Sequence, residues 1–212
     1  MSTLKIDPLF DFNSIKRERN IIIFGETHGF VKDEVKHIKY LVKLFEPKLI
    51  LYELLENKKL LILRDIDKFL SNSDNKEFSL ISKYGELRDV ITIAKKNNIP
   101  IIGCDLKNMG RKNKFLIDKE LSKKELKEEK EILDKRESHQ IKIIKNQLNN
   151  YKNIFVILGA WHIRKGSQII KNFKNGIVVF PTYNESSNFS PKDIKNFSKV
   201  VYNLVDINRY FR

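Results

Sequence analysis

The chain has 212 residues with one Cys and five Pro, and its 41 Lys and Arg outweigh 27 Asp and Glu for a formal net charge of +14. The lone Cys104 excludes an internal disulfide and a Cys-rich zinc site, and a domain of this size buries roughly 70% of its unfolded surface, so it needs neither to fold. The basic residues are spread along amphipathic segments and mixed with acids, as in "KELSKKELKEEKEILDKRE", which is the pattern of solvated helix faces and argues against nucleic acid as a partner.

At the N-terminus, "MSTLKIDPLF" lacks the charged start and apolar stretch of a signal peptide. No run approaches the roughly 18 apolar residues of a membrane span. The expectation is one domain over residues 1–212, soluble and cytoplasmic. In chain order, residues 20–25 are a first strand. "VKDEVKHIKYLVKLFE" follows as a helix, with Val31, Val35, Ile38, Val42 and Phe45 at helical spacing and Pro47 as its stop. On that helix His37 sits amid Lys36 and Lys39 and reads as solvated surface. "KLILYE" (48–53) is a second strand, "NKKLLILRDIDKFL" a helix and "SNSDNKEF" a loop. "GELRDVITIAKKNN" is a helix with Leu87, Val90, Ile91 and Ala94 inward, and Pro100 begins the strand "IPIIGC".

After a linker, "KNMGRKNKF", a long helix runs from about 122 to 150, and Ser122 with Glu125 forms a capping box at its start. "NIFVIL" (153–158) is a strand, "IRKGSQIIKNF" a helix and "GIVVF" (176–180) a fifth strand. Ser190-Pro191 opens a short helix. "KVVYNLV" is a last strand, and the apolar residues of "VVYNLVDINRYF" either complete the sheet or pair two subunits as a homodimer. Continuous apolar strands alternating with helices predict an α/β fold: a mostly parallel central sheet of five or six strands, covered by helices on both faces.

Several strands end in polar groups that a core would not select. The first ends in Gly25-Glu26-Thr27-His28, the second in Glu53, the third in Cys104-Asp105, and the strand at 153–158 in Gly159-Ala160-Trp161-His162. Open parallel sheets bind ligands outside the carboxyl ends of their strands, and neighbouring strands lie only about 4.8 Å apart. Each Gly lets the chain turn sharply there. Alone, a Gly-x-x-His motif or a Glu after a strand is a common turn or helix-start feature; two such motifs plus Glu53 point to a site. On the long helix, Leu133, Ile143 and Ile144 mark an apolar stripe, Arg136 falls on it, and His139 lies one turn later at its edge. Arg136 either covers apolar surface with its stem or aims at the carboxylates or a substrate anion.

This pattern resembles the TraB/Tiki superfamily, relatives of the erythromycin esterases and ChaN-like proteins. "GETHGFVKDEVKHIKYLVKLFEPKLILYELLENKKL", "YGELRDVITIAKKNNIPIIGCDLKNMGR", "EEKEILDKRESH" and "VILGAWHIRKG" carry the likeness over roughly residues 20–170, nearest to the TraB soluble domain. The resemblance implies functional positions at His28, Glu53, Glu86, Asp105, Arg111, Arg136 and His162. Three positions depart from the TraB pattern: Glu26 precedes the first His, as in the esterase and ChaN-like branches, and Lys58 and Lys107 replace an Arg and an acid.

The expected function is a metal-dependent hydrolase of peptides or small esters. His28, His162 and Glu53 would hold a divalent ion (Zn, Mn or Co), which lowers the pKa of its water. Glu26 would be a fourth ligand or general base, and Arg136 would stabilise the oxyanion. Glu86 belongs to the catalytic set by the resemblance, and Asp105 or His139 would orient ligands. The alternatives are a metal-free Glu/His hydrolase of the erythromycin-esterase type, with Glu26 and His28 activating water, or a non-catalytic module binding a peptide or haem beside Trp161 and His162.

Overall fold

Alternating apolar side chains on the central strands point to two sides, and two cores result. Ile22, Phe24, Ile50, Tyr52, Phe155 and Ile157 face one way, while Ile21, Ile23, Leu49, Leu51, Ile154 and Val156 face the other. In the computed structural model, residues 20–26, 34–71, 87–107, 122–163, 167–180 and 199–202 are described. Among them the strands are β1 (Asn20–Glu26), β2 (Leu49–Tyr52), β3 (Lys59–Leu60), β4 (Ile101–Gly103), β5 (Asn153–Gly159), β6 (Ile177–Phe180) and β7 (Lys199–Tyr202). The helices are α1 (Glu34–Phe45), α2 (Leu63–Ser71), α3 (Leu87–Lys96), α4 (Lys123–Asn150) and α5 (Gln168–Asn172). Helices α1, α2 and α3 cover the first core, and α4 and α5 the second. No described helix is long and apolar enough to cross a membrane.

The sheet has seven strands in the order β3-β4-β2-β5-β1-β6-β7, against the five or six expected. All pairings are parallel except that of the two-residue β3 with β4. Strands β1 and β2 do not touch, because β5 enters between them late in the chain. The strand ends bearing Asp105, Glu53, His162 and Glu26 therefore belong to four adjacent parallel strands, β4, β2, β5 and β1.

Helix α4 is positioned by the strand it feeds. It keeps the expected capping box, with Ser122 Oγ accepting from Glu125 N–H and the Glu125 carboxylate accepting from Ser122 N–H. Counting back from Asn150 to Arg136 covers about 21 Å of helix at 1.5 Å per residue. Strand β5 covers about 20 Å in the opposite direction, at roughly 3.3 Å per residue. Arg136 thus arrives level with the carboxyl end of β5, where the site residues gather.

Several local expectations change. "NKKLLILRDIDKFL" is not one helix: Lys59–Leu60 pairs with β4, and α2 begins at Leu63, where the Asp65 carboxylate accepts from Leu61 and Ile62 N–H. The helix expected from Ile163 onward is a short 3-10 helix, Ala160–Ile163, and the five-residue α5 capped by Ser167. Strand β7 completes the sheet beside β6. His37 is 3% exposed and belongs to the buried face of α1, because it lies one residue before Ile38 and four before Leu41 on the inward stripe. Val31, the loop from Ser73, Gly85, most of the 107–115 linker and Ser190-Pro191 lie outside the described residues.

Two glycines permit close approach rather than a turn. A Cβ on Gly25, inside β1, would lie 2.6 Å from Ile163 Cδ1. One on Gly103 would lie 2.1 Å from the carbonyl oxygen of Glu56 and 2.6 Å from that of Leu55, in the short turn after Glu53. Backbone atoms cannot swing aside as a side-chain tip can. Gly103→Ala is therefore expected to cost roughly 1–3 kcal/mol or more in urea unfolding; unchanged stability would contradict this packing.

Candidate active site

Each strand end delivers its polar group by a different local device. Glu26 is the last residue of β1 and is 1% exposed. Its Oε1 accepts from the Tyr52 hydroxyl at 2.8 Å. Glu53 opens the short 3-10 helix Glu53–Leu55 directly after β2. Asp105 follows β4 by two residues, and Leu106 N–H donates to its Oδ1 at 2.8 Å. His162 lies in the 3-10 helix after β5 and is 2% exposed.

Arg136 binds two of these ends together. Its Nη2 donates to Glu53 Oε1 at 2.6 Å and to Asp105 Oδ2, and its Nε donates to Asp105 Oδ2 at 2.8 Å. The other Glu53 oxygen accepts from Gly159 N–H at 2.5 Å, tying β2 to β5. Arg136 is only 11% exposed. Burial works against its charge, but Glu53 and Asp105 outweigh burial and push its pKa up, so it stays a cation. Its Nη1 makes no hydrogen bond to a described residue. Arg136 thus points at the carboxylates of Glu53 and Asp105.

His162 lies between carboxylates. Its Nε2 is 3.6 Å from Glu53 Oε1 and its Nδ1 is 3.5 Å from Glu137 Oε1. These are long ion pairs rather than short hydrogen bonds. Burial pushes the imidazole pKa down, but the charge of Glu53 and the two acidic partners carry it up to about 9, against some opposition from Arg136. In its charged form the ring carries a hydrogen on both nitrogens, and Nδ1 makes no hydrogen bond within the described residues.

The grouping differs from the expected one. Ligand atoms of Glu53, Asp105 and His162 all lie within 4.8 Å of one another, which makes Asp105 a candidate donor as well. Glu26 is not in that group. It follows Ile22 and Phe24 on the α1 side of β1, away from the face covered by α4. His139 is half-buried on the flank of α4, because the buried line of that helix runs through Leu133, Glu137, Gln140 and Ile144. His28, Glu86 and Arg111 lie outside the described residues, and so does the Trp161 side chain. Cys104 is buried beside the site; burial and then the charges of Glu53 and Asp105 push its thiol pKa up, so it stays protonated.

Carboxylate and imidazole donors suit several divalent ions. The arrangement around them does not suit one as it stands. The guanidinium already engages both Glu53 and Asp105, and a His162 ligand must be unprotonated. Ion and guanidinium compete for the same two carboxylates.

Tyr52, Glu137 and Gln140 are site residues that sequence reasoning missed. The last two had a signal: positions 133, 137, 140 and 144 follow helical spacing, and polar residues on a buried stripe require partners.

No family model and no curated protein matches the sequence. Solved structures share its fold. The chain resembles the type III effector HopBA1 with a TM-score of 0.55 at 14% identity, over 87% of each chain. It resembles RRSP, a MARTX toxin effector domain from Vibrio vulnificus CMCP6, with a TM-score of 0.51 at 18% identity. That match covers 95% of this chain and 41% of the other, so this chain spans less than half of it. A weaker likeness, with a TM-score of 0.46 at 18% identity over 84% and 87% of the two chains, is to ChaN of Campylobacter jejuni, described with cofacial haem binding. At these identities the likeness establishes the fold alone.

Two outcomes follow from the cluster. Arg136→Met leaves two buried carboxylates without their cation and is expected to cost about 3–5 kcal/mol of stability, measured by urea unfolding; a loss under 1 kcal/mol would mean the pairs are exposed and screened. The His162 pKa is raised from its ordinary 6.5 to about 9. Its charged form therefore adds stability that is complete below about pH 6.5 and is lost as pH rises through about 9. Melting temperatures followed from pH 6 to 10 should fall across that window in the wild type and lose this component in His162→Gln.

Proposed function

We propose that the chain is a hydrolase of peptides or small esters that works without a resident metal, in the manner its resemblance to the erythromycin-esterase branch implies. The observation that supports this reading is the position of Arg136, whose guanidinium already neutralises Glu53 and Asp105. The resemblance to the TraB/Tiki superfamily supports the same set of residues.

In this reading Glu26 is the general base. The β1–β5 register places it beside Gly159, whose N–H binds Glu53, so its carboxylate serves the same sheet edge as the cluster. The Tyr52 hydroxyl orients it. His28, two residues further on, is its partner in activating water. Water attacks the carbonyl carbon and gives its proton to Glu26. The Nη1 group of Arg136 receives the oxyanion. His162, charged between Glu53 and Glu137, passes a proton to the leaving nitrogen or oxygen as the bond to carbon breaks. Asp105 and Glu53 hold Arg136 in place. Glu86 remains part of the proposed set on the resemblance alone.

Metal-dependent hydrolysis is the competing reading, favoured by the close donor atoms of Glu53, Asp105 and His162. In that reading the ion and Arg136 share the carboxylates of Glu53 and Asp105. A haem role for His162 is less well supported, since both ring nitrogens already face polar side chains.

Turnover of a panel of peptides and p-nitrophenyl esters by EDTA-dialysed protein separates the two hydrolase readings. EDTA and added Zn²⁺ or Mn²⁺ are expected to leave the rate unchanged, and Glu26→Gln to lower kcat/KM roughly 10²–10⁴-fold with the fold retained. Activity lost in EDTA and restored by metal would overturn the metal-free reading.

A further inference from the structure

We infer that Glu137 is a positioning residue for His162: it faces the Nδ1 side of the imidazole and so aims Nε2 at Glu53. The inference rests on the hydrolase reading above, in which His162 delivers the leaving-group proton.

Glu137 lies in the middle of α4 with 0% exposure, and carboxylates are almost never fully buried unless paired. One oxygen, Oε2, accepts from Gln168 N–H at 2.7 Å. The other, Oε1, faces His162 Nδ1 at 3.5 Å. Gln140, also 0% exposed and one helical turn on, meets Nε2 of the same ring at 3.4 Å. With its carbonyl oxygen towards the ring, the Gln140 amide accepts from Nε2–H; the opposite placement leaves that oxygen buried without a partner. One face of α4 thus engages both nitrogens of the imidazole.

A purely structural role would make Glu137 a cap for α5. That helix has five residues, and Ser167 Oγ already accepts from Ile170 N–H at its start. Glu137 accepts from a different donor, Gln168 N–H, with one oxygen; that single bond to a neutral donor offsets little of the cost of burying a carboxylate, and the imidazole facing the other oxygen offsets more of it and fixes the orientation of the ring.

Glu137→Gln separates the two roles. Its amide oxygen still accepts from Gln168 N–H, but its NH₂ now meets Nδ1, and two donors cannot share that contact. Nδ1 should give up its hydrogen, read in long-range ¹⁵N–¹H spectra of the four imidazoles with His162 assigned by its loss in His162→Gln. On a substrate that turns over, kcat should fall roughly 10–100-fold with KM little changed. The comparison variant is Gln168→Pro, which removes the capping N–H and keeps the His162 contact. Proline suits this first helical position, and Ser167 already has the extended backbone that precedes proline, φ −60° and ψ 154°. It should keep the wild-type imidazole spectrum and a kcat within about twofold.

A folded Glu137→Gln with an unchanged His162 spectrum would overturn the inference. So would equal losses in Glu137→Gln and Gln168→Pro, since the effect would then pass through α5. If Glu137→Gln does not fold, Glu137→Asp draws the carboxylate back by one methylene and should weaken its ion pair with Nδ1; an unmoved Nδ1–H resonance overturns the inference there. If no substrate turns over, the hydrolase reading fails while the imidazole spectra still decide the role of Glu137.

Discussion

Arg136 sits where two carboxylates from separate strands would otherwise repel each other. Glu53 and Asp105 follow β2 and β4, adjacent in the sheet and both buried at the same edge. Two like charges this close in a low-dielectric interior cannot both remain ionised without a shared cation. The guanidinium supplies it, with a planar fork that addresses two carboxylates at once, which a Lys ammonium cannot reproduce. The remaining placements depend on that pair. Glu53 is fixed so that its second oxygen takes Gly159 N–H, and His162 is drawn up as a second cation against it. Electrostatic balance thus decides the shape of the sheet edge before any substrate arrives.

The neighbouring groups are arranged as consequences of sheet geometry. Glu26 and Tyr52 share the α1 side, while Glu53, Asp105, His162 and Glu137 gather with α4. The strand ends form the boundary between the two sets. The α4 side of that boundary holds two cations, Arg136 and His162, among three carboxylates, and the α1 side holds a further carboxylate, Glu26.

Much of this was legible in the residues. The apolar runs and their order predicted the parallel sheet, and Gly25-Glu26, "LYE", "CD" and "GAWH" each lie at a strand end because polar groups cannot continue a two-sided core. Periodicity placed Arg136 inward. What stayed hidden was pairing. The entry of β5 between β1 and β2 is a long-range choice that local pattern does not encode, and it decides which ends are neighbours. Composition also misled at His37, where flanking lysines suggested solvent while the stripe of Ile38 and Leu41 pointed inward. Lys59 and Leu60 read as helix because a two-residue edge strand has no period of its own.

The late arrival of β5 has a consequence for biosynthesis. As the chain leaves the ribosome, Glu26, Glu53 and Asp105 emerge well before Arg136 and His162, and the central slot of the sheet stays vacant until Asn153–Gly159 is made. Until then β1 and β2 have no common neighbour, and long-range parallel pairing of this kind is slow to form. A nascent chain therefore carries its acids without their cations, and the charged edge is complete only once α4 and β5 have been made.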